Sequence, residues 1–509
     1  MWDISANMNS DKSLLSALVK TGDMYYNHRM MRKNTLNRKL GIAAILAAVL
    51  LCLGGCGRGS GSNTEGSSGT DLPEEAFSEG TLSEETFSED ALSEGAFSEA
   101  SPGQTSLSQP ETAAEETGAG STSGSSQDAG ADPSGLGADG QNSEASQESQ
   151  ESFDEERRIR QQAGIKLQSM TLEQKVAQMF VVTPDALTGV EEVTICGDIT
   201  RDALYRLPVG GLIYMQGNLQ NADQTRFMLQ LTQQYSQEIS VLPMLLFTDE
   251  EGGTVTRISG NEGFPEIPRI SSMAVIGATG NPEAARETGM TIGSYLSDLG
   301  FNADFAPDAD VLTNPENQVI GNRSFGSDPQ MVADMAAALG EGLESQGVLP
   351  CYKHFPGHGA SADDTHEGYA YSNKNLEQMW DCELLPFRQA IAGGARMIMI
   401  SHMSLPNVIG YSLPSSLSPY LLKNILRERM GFDGIIITDA MNMGAIVNTY
   451  PCADAAVMAV QAGADMILMP EDLWTAYTAV VHAVQNGQIS EEQIDEAVGR
   501  ILYVKYSLV

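Results

Sequence analysis

The chain is poor in basic residues, in histidine and in long apolar runs. Its 509 residues include 67 Asp and Glu against 29 Lys and Arg, and the formal net charge is −38 at pH 7. Much of this charge lies in one tract, because Arg58 is the only basic residue between residue 57 and Arg157. An acidic tract of this kind argues against nucleic-acid binding, so we expect no nucleic-acid partner.

The few cysteines exclude a disulfide framework. The chain has six, none of which form a Cys-x-x-Cys pair. Cys52 and Cys56 belong to an N-terminal targeting segment, and the other four are widely scattered. Such spacing is typical of buried free thiols.

The longest apolar run of the N-terminal region, residues 40–53, is too short to span a membrane comfortably. Basic residues precede it, and it ends in Leu-Gly-Gly-Cys56, so it fits a signal-peptide core. The small residues before Cys56 resemble a bacterial lipobox. This resemblance implies cleavage before Cys56, lipidation of its thiol, and an extracytoplasmic protein anchored to the bacterial cell membrane. We assign residues 1–56 to this segment, with translation expected to begin near residue 30. The alternative is an uncleaved N-terminal anchor.

Residues 57–156 are an acidic tract rich in Ser, Gly and Glu. Within it an apolar residue recurs every five positions, from Phe77 to Phe97, each followed by Ser-Glu. A period of five matches neither helix nor strand, and one apolar residue in five cannot offset chain entropy. We predict a disordered linker with a reach of about 50–60 Å. The alternative is a motif that binds the cell wall or a partner.

Residues 157–509 have a globular composition and a repeating pattern of strands and helices. A capping-box sequence begins at Thr171, and eight short apolar runs then alternate with helical patterns. Apolar strands of this kind are buried on both faces of a parallel sheet, and eight of them predict a (β/α)₈ TIM-type barrel. The predicted strands are residues 180–183, 209–215, 242–248, 301–306, 348–354, 395–402, 434–439 and 465–469.

Polar residues follow these strands at their C-terminal ends. Asp249 follows the third strand, Lys353 and His354 end the fifth, and Asp439 ends the seventh. Barrel enzymes place their chemistry on this face. Three of the six histidines fall within residues 353–366, where a rigid strand would aim loop residues at a ligand.

Two groups offer chemistry. The Asp439 carboxylate can act as a nucleophile or a metal ligand, or it can cap the following helix. Asp364 and His366 lie two residues apart in a small-residue loop, where the carboxylate could fix the imidazole tautomer and form a proton-transfer pair.

Five motifs together resemble glycoside hydrolase family 3, and most closely its β-N-acetylglucosaminidase branch. The resemblance covers residues 165–509 and implies a single catalytic domain. It implies hydrolysis of terminal β-linked N-acetylglucosamine with retention, typically from peptidoglycan fragments. The motifs are Asp-Glu-Glu-Gly-Gly at 249–253, Val-Ile-Gly-Asn-Arg-Ser-Phe-Gly at 319–326, Lys-His-Phe-Pro-Gly-His-Gly at 353–359, Asp-Thr-His at 364–366 and Ile-Thr-Asp-Ala-Met at 437–441.

The resemblance also implies residue roles. Asp439 matches the nucleophile, His366 the acid/base and Asp364 its orienting partner. No metal or cofactor is implied. Retaining glycosidases usually pair two carboxylates, and an imidazole can replace one of them because it exchanges protons near neutrality. The positions that match sugar-binding residues are Asp249, Arg257, Arg323, Lys353 and His354.

Some positions depart from the family pattern, and alternatives stay open. Thr254 stands where an arginine is common, Glu250 where glutamine is usual, and residues 367–370 replace a hydrophobic-Pro continuation. β-Glucosidase, β-xylosidase and phosphorolytic activity therefore remain alternatives. A metal-dependent hydrolase is a rival whose ligands would come from His354, His358, His366, His402 and Asp439. Of these, His358 and His402 also fit structural roles. A sugar-binding protein without activity is disfavoured, since it need not keep Asp439 or the dyad.

Overall fold

A computed structural model describes residues 139–361 and 370–508, with side chains from residue 153 onward. The signal segment with Cys56 and most of the predicted linker therefore lie outside the described residues. So do Asp364 and His366, which fall between the two described ranges.

The described chain begins with a long helix, α1 (Asp139–Ser169). The boundary predicted between residues 156 and 157 falls inside this helix, so residues 139–156 of the predicted linker are helical. Glu155 and Glu156 pair with Arg158 and Arg160 at helical spacing, which supports the helix across the boundary. The first side chain buried against the domain is Ile159.

The capping box predicted at Thr171 is present. The Thr171 hydroxyl accepts a hydrogen bond from the Gln174 amide at 3.3 Å, and the Gln174 side chain accepts one from the Thr171 amide at 3.1 Å. Helix α2 (Leu172–Gln178) begins at the next residue, as this pattern predicts.

Nine short strands carry the sheet structure of the described residues. Each of the eight predicted segments contains a strand, and the fifth is split in two at Cys351. At the split, the Cys351 amide donates to the carbonyls of Asp304 and Ala306. The strands are β1 (Phe180–Val182), β2 (Gly211–Ile213), β3 (Leu245–Thr248), β4 (Ala303–Asp304), β5 (Leu349–Pro350), β6 (Tyr352–Phe355), β7 (Met397–Ile400), β8 (Ile435–Thr438) and β9 (Ile467–Leu468).

All strand pairs within the two sheets are parallel. One sheet has the order β5-β4-β3-β2-β1-β9, and the other has the order β6-β7-β8. A parallel bridge between Ile437 and Met466 links β8 to the chain just before β9. The prediction of an α/β fold with parallel strands is therefore confirmed.

Helices alternate with these strands, and several begin at a capping side chain such as Asn221, Asp328 or Asp472. No helix in the described part of the chain is long and apolar enough to cross a membrane. The remaining helices are α3 (Pro184–Thr188), α4 (Asp198–Arg206), α5 (Ala222–Ser240), α6 (Met273–Gly277), α7 (Pro282–Leu299), α8 (Pro329–Glu344), α9 (Leu376–Trp380), α10 (Leu385–Ala392), α11 (Pro406–Ile409), a π-helix (Tyr420–Arg429), α12 (Gly444–Val447), α13 (Cys452–Ala462), α14 (Leu473–Gln485) and α15 (Glu491–Tyr506).

The core lies on both faces of the strands. Every residue of β1, β3, β7 and β8 is buried, which explains why these segments read as continuous apolar runs. The four cysteines of the described chain are free thiols, as the sequence predicts: Cys196 and Cys351 are buried, and Cys382 and Cys452 are half-buried. Polar side chains concentrate where the strands end at their C-terminal side.

Candidate active site

Asp439 directly follows β8 and is half-buried at the C-terminal end of the strands. Its amide donates to the Ile400 carbonyl, and its Oδ1 accepts a hydrogen bond from the Ala440 amide at 2.8 Å. Burial alone would raise the pKa of this carboxyl, but the imidazoles of His354 and His402 and the Lys353 ammonium hold it below its ordinary value. Asp439 is therefore an ionised carboxylate at neutral pH, as a nucleophile must be.

Asp249, at the end of β3, is held between two cations. Arg257 Nη2 lies 3.0 Å from Asp249 Oδ2, and Lys353 Nζ lies 3.1 Å from Asp249 Oδ1. Three of the predicted sugar-binding side chains therefore lie in one hydrogen-bonded group. Charged donors and acceptors of this kind bind sugar hydroxyl groups strongly.

Glu251 connects this group to Arg323. Arg323 donates two parallel hydrogen bonds of 2.8 Å to the Glu251 carboxylate, and Lys353 Nζ lies 2.7 Å from Glu251 Oε1. Although burial opposes ionisation, these two cations lower the pKa of Glu251, so it stays charged. Glu251 is not among the site residues predicted from the sequence. Its place in the turn after β3, next to Asp249, was the available signal.

His354 occupies a fixed tautomer beside Arg323. Its Nε2 lies 3.2 Å from Arg323 Nη2, and its Nδ1 lies 2.7 Å from Asp310 Oδ2. Because arginine can only donate, Nε2 accepts and Nδ1 carries the proton. Burial and the Arg323 charge lower the pKa of His354 to about 4, so the imidazole is neutral in physiological conditions. His354 therefore contributes a fixed, neutral imidazole to the site and does not transfer protons.

Asp308, Asp310 and His354 are the one group of described residues close enough to share a metal ion, with ligand atoms within 4.8 Å of one another. Two basic side chains already lie against this cluster. His354 Nδ1 donates to Asp310 Oδ2, and the Arg323 guanidinium lies 3.6 Å from Asp308 Oδ2, a buried atom that has no hydrogen-bond partner among the described residues. Burial and the neighbouring Asp310 raise the pKa of Asp308 to about 8, which keeps it protonated at neutral pH. A guanidinium and a protonated carboxyl fit a divalent cation poorly.

Glu250 and Glu251 face different surroundings, as expected of neighbours at a strand end. Glu250 is buried, and its carboxylate organises the following loop. It accepts hydrogen bonds from the amides of Arg257, Ile258 and Ser259 and from the Tyr295 hydroxyl. Glu250 therefore fixes the backbone of Arg257 and has no direct place in the group around Glu251.

His358 and His402 form hydrogen bonds to residues that adjoin the site. The His358 amide donates to Asp310 Oδ1 at 2.5 Å, and the His402 ring contacts Ser416 Oγ at 2.7 Å and the Ala440 carbonyl at 3.0 Å. His402 thus fixes the residue next to Asp439. The histidines of the rival metal site do not converge as a ligand set among the described residues, because only His354 joins the acidic cluster.

The structure brings together all five predicted sugar-binding residues, with Asp439 near two of them. Asp364 and His366 fall in the undescribed segment between Ser361 and Ala370, so their roles stay predictions. The described side chains form a polar surface at the ends of the strands. The ionised Asp439 carboxylate lies at the edge of this surface.

Comparison with known proteins identifies the family. The glycosyl hydrolase family 3 N terminal domain matches residues 171–504, which is most of the chain. The chain belongs to glycosyl hydrolase family 3. This family 3 match covers every strand of the described structure and every described residue of the candidate site.

Individual family 3 relatives point to hexosaminidases and to a phosphorylase. The chain is 31% identical to beta-hexosaminidase A of Pseudoalteromonas piscicida over 60% of its own length and 55% of that protein. A beta-N-acetylglucosaminidase structure from Paenibacillus sp. str. FPU-7 is 37% identical, with a TM-score of 0.61, 67% of this chain covered and 63% of that chain. A beta-glucoside phosphorylase structure is 28% identical, with a TM-score of 0.61 and coverages of 69% and 61%. The chain thus spans little more than half of the Pseudoalteromonas protein.

Proposed function

We propose that this protein is a retaining glycosidase that removes terminal β-linked N-acetylglucosamine. The observation that carries the proposal is the ionised Asp439 carboxylate beside the polar surface of Asp249, Arg257, Lys353 and His354. A hexosaminidase relative and a beta-N-acetylglucosaminidase structure support the choice of sugar.

In the proposed mechanism Asp439 attacks the anomeric carbon and displaces the aglycone oxygen. His366 donates its proton to that oxygen, and a glycosyl-enzyme ester forms on Asp439. A water molecule then attacks the anomeric carbon while His366 takes its proton, which releases the sugar with retained configuration and restores Asp439. Asp364 orients the imidazole. Both residues lie outside the described structure, so the sequence is what supports these two roles.

The remaining side chains bind the sugar ring. Asp249 is an acceptor held by two cations, and Arg257 and Lys353 are charged donors that lie against it. We propose that the hydroxyl groups of the terminal sugar bridge these partners. The neutral His354 and the Arg323 guanidinium complete the wall of the sugar site.

We propose further that the two sheets close into one (β/α)₈ barrel. β5 continues into β6 after a single residue, β9 pairs with β1, and the bridge between Ile437 and Met466 joins β8 to the β9 segment. These links give a ring of eight strand positions. Strand order in this ring follows the chain order.

The natural substrate and the location are proposed from the N-terminal sequence. Leu-Gly-Gly-Cys56 after an apolar core supports lipidation at Cys56 and an extracytoplasmic protein held at the bacterial membrane. An enzyme so placed would meet N-acetylglucosamine in peptidoglycan fragments. A lipidated protein should label with a radioactive or alkyne-bearing fatty acid, and Cys56→Ser should abolish that label.

The decisive experiment measures turnover of aryl β-N-acetylglucosaminide, β-glucoside and β-xyloside, each with and without phosphate. We expect hydrolysis of the first substrate at a rate well above the other two. No activity on the aryl β-N-acetylglucosaminide would overturn the proposal.

The His366→Ala variant should lose far more activity on substrates with poor leaving groups than on activated aryl glycosides, because only the former need protonation. Equal losses on both would contradict the acid role.

Phosphorolysis is a second candidate, favoured by the similarity to a beta-glucoside phosphorylase. A neutral imidazole as the acid/base would repel an anionic acceptor less than a carboxylate would. Production of a sugar 1-phosphate in phosphate buffer, faster than release of free sugar, would establish it. Free sugar as the only product in phosphate excludes it.

A further inference from the structure

Asp304 is a fully buried carboxyl group on β4 that the proposed mechanism does not use. Its Oδ1 accepts a hydrogen bond of 2.9 Å from the Glu250 amide, in the turn after β3. Its Oδ2 is buried and has no hydrogen-bond partner among the described residues. A charged carboxylate is costly in such a place, and burial raises the pKa of Asp304 well above its ordinary value. Asp304 is therefore best described as a neutral acceptor for the Glu250 amide.

Glu250 extends this contact to Arg257. Its Oε2 accepts a hydrogen bond of 2.7 Å from the Arg257 amide, and its Oε1 accepts one of 2.9 Å from the Tyr295 hydroxyl on α7. Glu250 is thus fixed at both ends, because Asp304 holds its amide and Tyr295 holds its carboxyl group. The backbone of Arg257 depends on the place of Glu250.

These contacts form a closed loop with the ion pair of the sugar site. Asp249 directly precedes Glu250 in the chain, and its Oδ2 lies 3.0 Å from Arg257 Nη2. Asp304 therefore fixes the backbone beside Asp249, Glu250 fixes the backbone of Arg257, and the ion pair joins the two side chains. Asp304 and Glu250 are buried, whereas Asp249 and Arg257 are half-buried at the strand ends.

We propose that Asp304 is a positioning residue that sets the separation of Asp249 and Arg257 and thereby the affinity of the site for the terminal sugar. It acts through Glu250, and neither of these buried side chains touches the sugar. The inference rests on the proposed function, because Asp249 and Arg257 are assigned there to sugar binding. Since both lie apart from the nucleophile in this role, the effect should fall on binding more than on the chemical step.

The main test is Asp304→Ala in the full chain. The measurements are KM and kcat on an aryl β-N-acetylglucosaminide and the inhibition constant of free N-acetylglucosamine. We expect KM and the inhibition constant to rise ~10-fold and kcat to change less than ~3-fold, because loss of binding in the ground state and transition state alike raises KM alone. Asp304→Asn keeps the acceptor oxygen and should restore both constants. An Asn variant with the full defect of the Ala variant would overturn the role as a neutral acceptor.

Asn302→Ala is the matched control on the same pair of strands. The Asn302 side chain accepts a hydrogen bond of 2.8 Å from the Leu246 amide, nearer the N-terminal end of β3. Its removal should lower the melting temperature and leave KM and the inhibition constant unchanged. Equal rises of KM in Asn302→Ala and Asp304→Ala would indicate a general disturbance of β3 and would overturn the inference. Unchanged constants in a folded Asp304→Ala protein would do the same.

A milder pair of variants decides the matter if Asp304→Ala does not fold. Tyr295→Phe removes only the hydroxyl that donates to Glu250, and Tyr214→Phe removes a buried hydroxyl that lies 3.0 Å from Thr232 Oγ1. We expect KM and the inhibition constant to rise ~3-fold in Tyr295→Phe, the size of one modest hydrogen bond, and not at all in Tyr214→Phe. The same constants in Tyr295→Phe as in wild type would then contradict the inference. Wild-type protein that neither cleaves the aryl glycoside nor binds N-acetylglucosamine would instead overturn the proposed function.

Discussion

Among the described residues, two lysines are almost completely buried, and their surroundings are opposite. Lys353 lies between the carboxylates of Asp249 and Glu251, which raise its pKa above the ordinary value although burial opposes this. Lys505, on α15, donates a hydrogen bond of 2.7 Å to the Gln178 side-chain oxygen, and burial lowers its pKa to about 7. One lysine is held charged, and the other is partly neutral.

The difference separates the two sides of the strands. At the C-terminal ends the chain surrounds charges with countercharges, so that they persist in a buried place and can bind a polar ligand. Near α2 and α15, Lys505 has no countercharge among the described residues to offset its burial, which is a cost in stability. Buried charge alone therefore does not mark a functional site. A paired network with an ionised, half-buried carboxylate beside it, as Asp439 lies near Lys353 and His354, is the more specific sign.

The largest expected effect is at that carboxylate. Asp439→Ala should lower turnover of an aryl β-N-acetylglucosaminide by roughly 10³-fold or more, because the covalent intermediate cannot form. The change removes no described side-chain pairing, so the melting temperature should be little altered. Kinetics and a thermal melt on the same sample check both parts. Undiminished turnover would remove Asp439 from the mechanism.

Lys353→Met should harm both binding and stability. It leaves Glu251 with Arg323 alone and Asp249 with Arg257 alone, so we expect a loss of roughly 3 kcal/mol in unfolding free energy. Activity should fall by about 10²-fold in kcat/KM through the lost donor. Urea unfolding and steady-state kinetics measure these effects. A variant as stable and as active as wild type would show that the network is dispensable.

Lys505→Met should increase the free energy of unfolding, which is the opposite of the effect expected for Lys353→Met. Removal of the buried amine relieves its desolvation, and we expect a gain of roughly 2 kcal/mol at pH 7. Gln178 still donates to the Pro208 carbonyl, so one of its hydrogen bonds survives. Activity should stay unchanged because Lys505 lies between α15 and α2, away from the C-terminal strand ends that carry the site. A loss of stability would mean that the hydrogen bond to Gln178 outweighs burial.

The pH dependence of stability tests the same contrast more finely. Lys505 has a folded-state pKa of about 7, below its ordinary value of 10.5, so the unfolded chain binds more protons between these values. Wild-type stability should rise with pH across this window relative to Lys505→Met. Below pH 7 the penalty is fully present, and the difference between the proteins should level off. Parallel curves for the two proteins would contradict the assigned cause.

Much of the fold could be predicted from sequence because apolar runs at regular intervals determine which segments enter a parallel sheet. The exact ends of individual strands and helices could not be predicted as well. At the split of the fifth strand, the Cys351 amide contacts carbonyls from residues 304 and 306, and such tertiary contacts are not contained in local patterns. The helix across residue 157 has local Glu–Arg pairs at helical spacing, but the low apolar content of the linker hid this signal.

The site was predictable in its residues but not in its connections. Asp249, Arg257, Arg323, Lys353 and His354 do converge, since strand ends meet at one edge. Sequence spacing gave no sign that Glu251 joins two cations, because its partners lie 72 and 102 positions away.

The central claim is that Asp439 forms a covalent bond to the sugar. Incubation with a fluorinated N-acetylglucosaminyl donor that forms the glycosyl-enzyme faster than it releases it tests this directly by mass spectrometry. The expected result is a mass increase of one sugar per protein, located by peptide mapping at Asp439. An adduct on another residue, or turnover of the donor with retention and no adduct in wild-type protein, would contradict the claim.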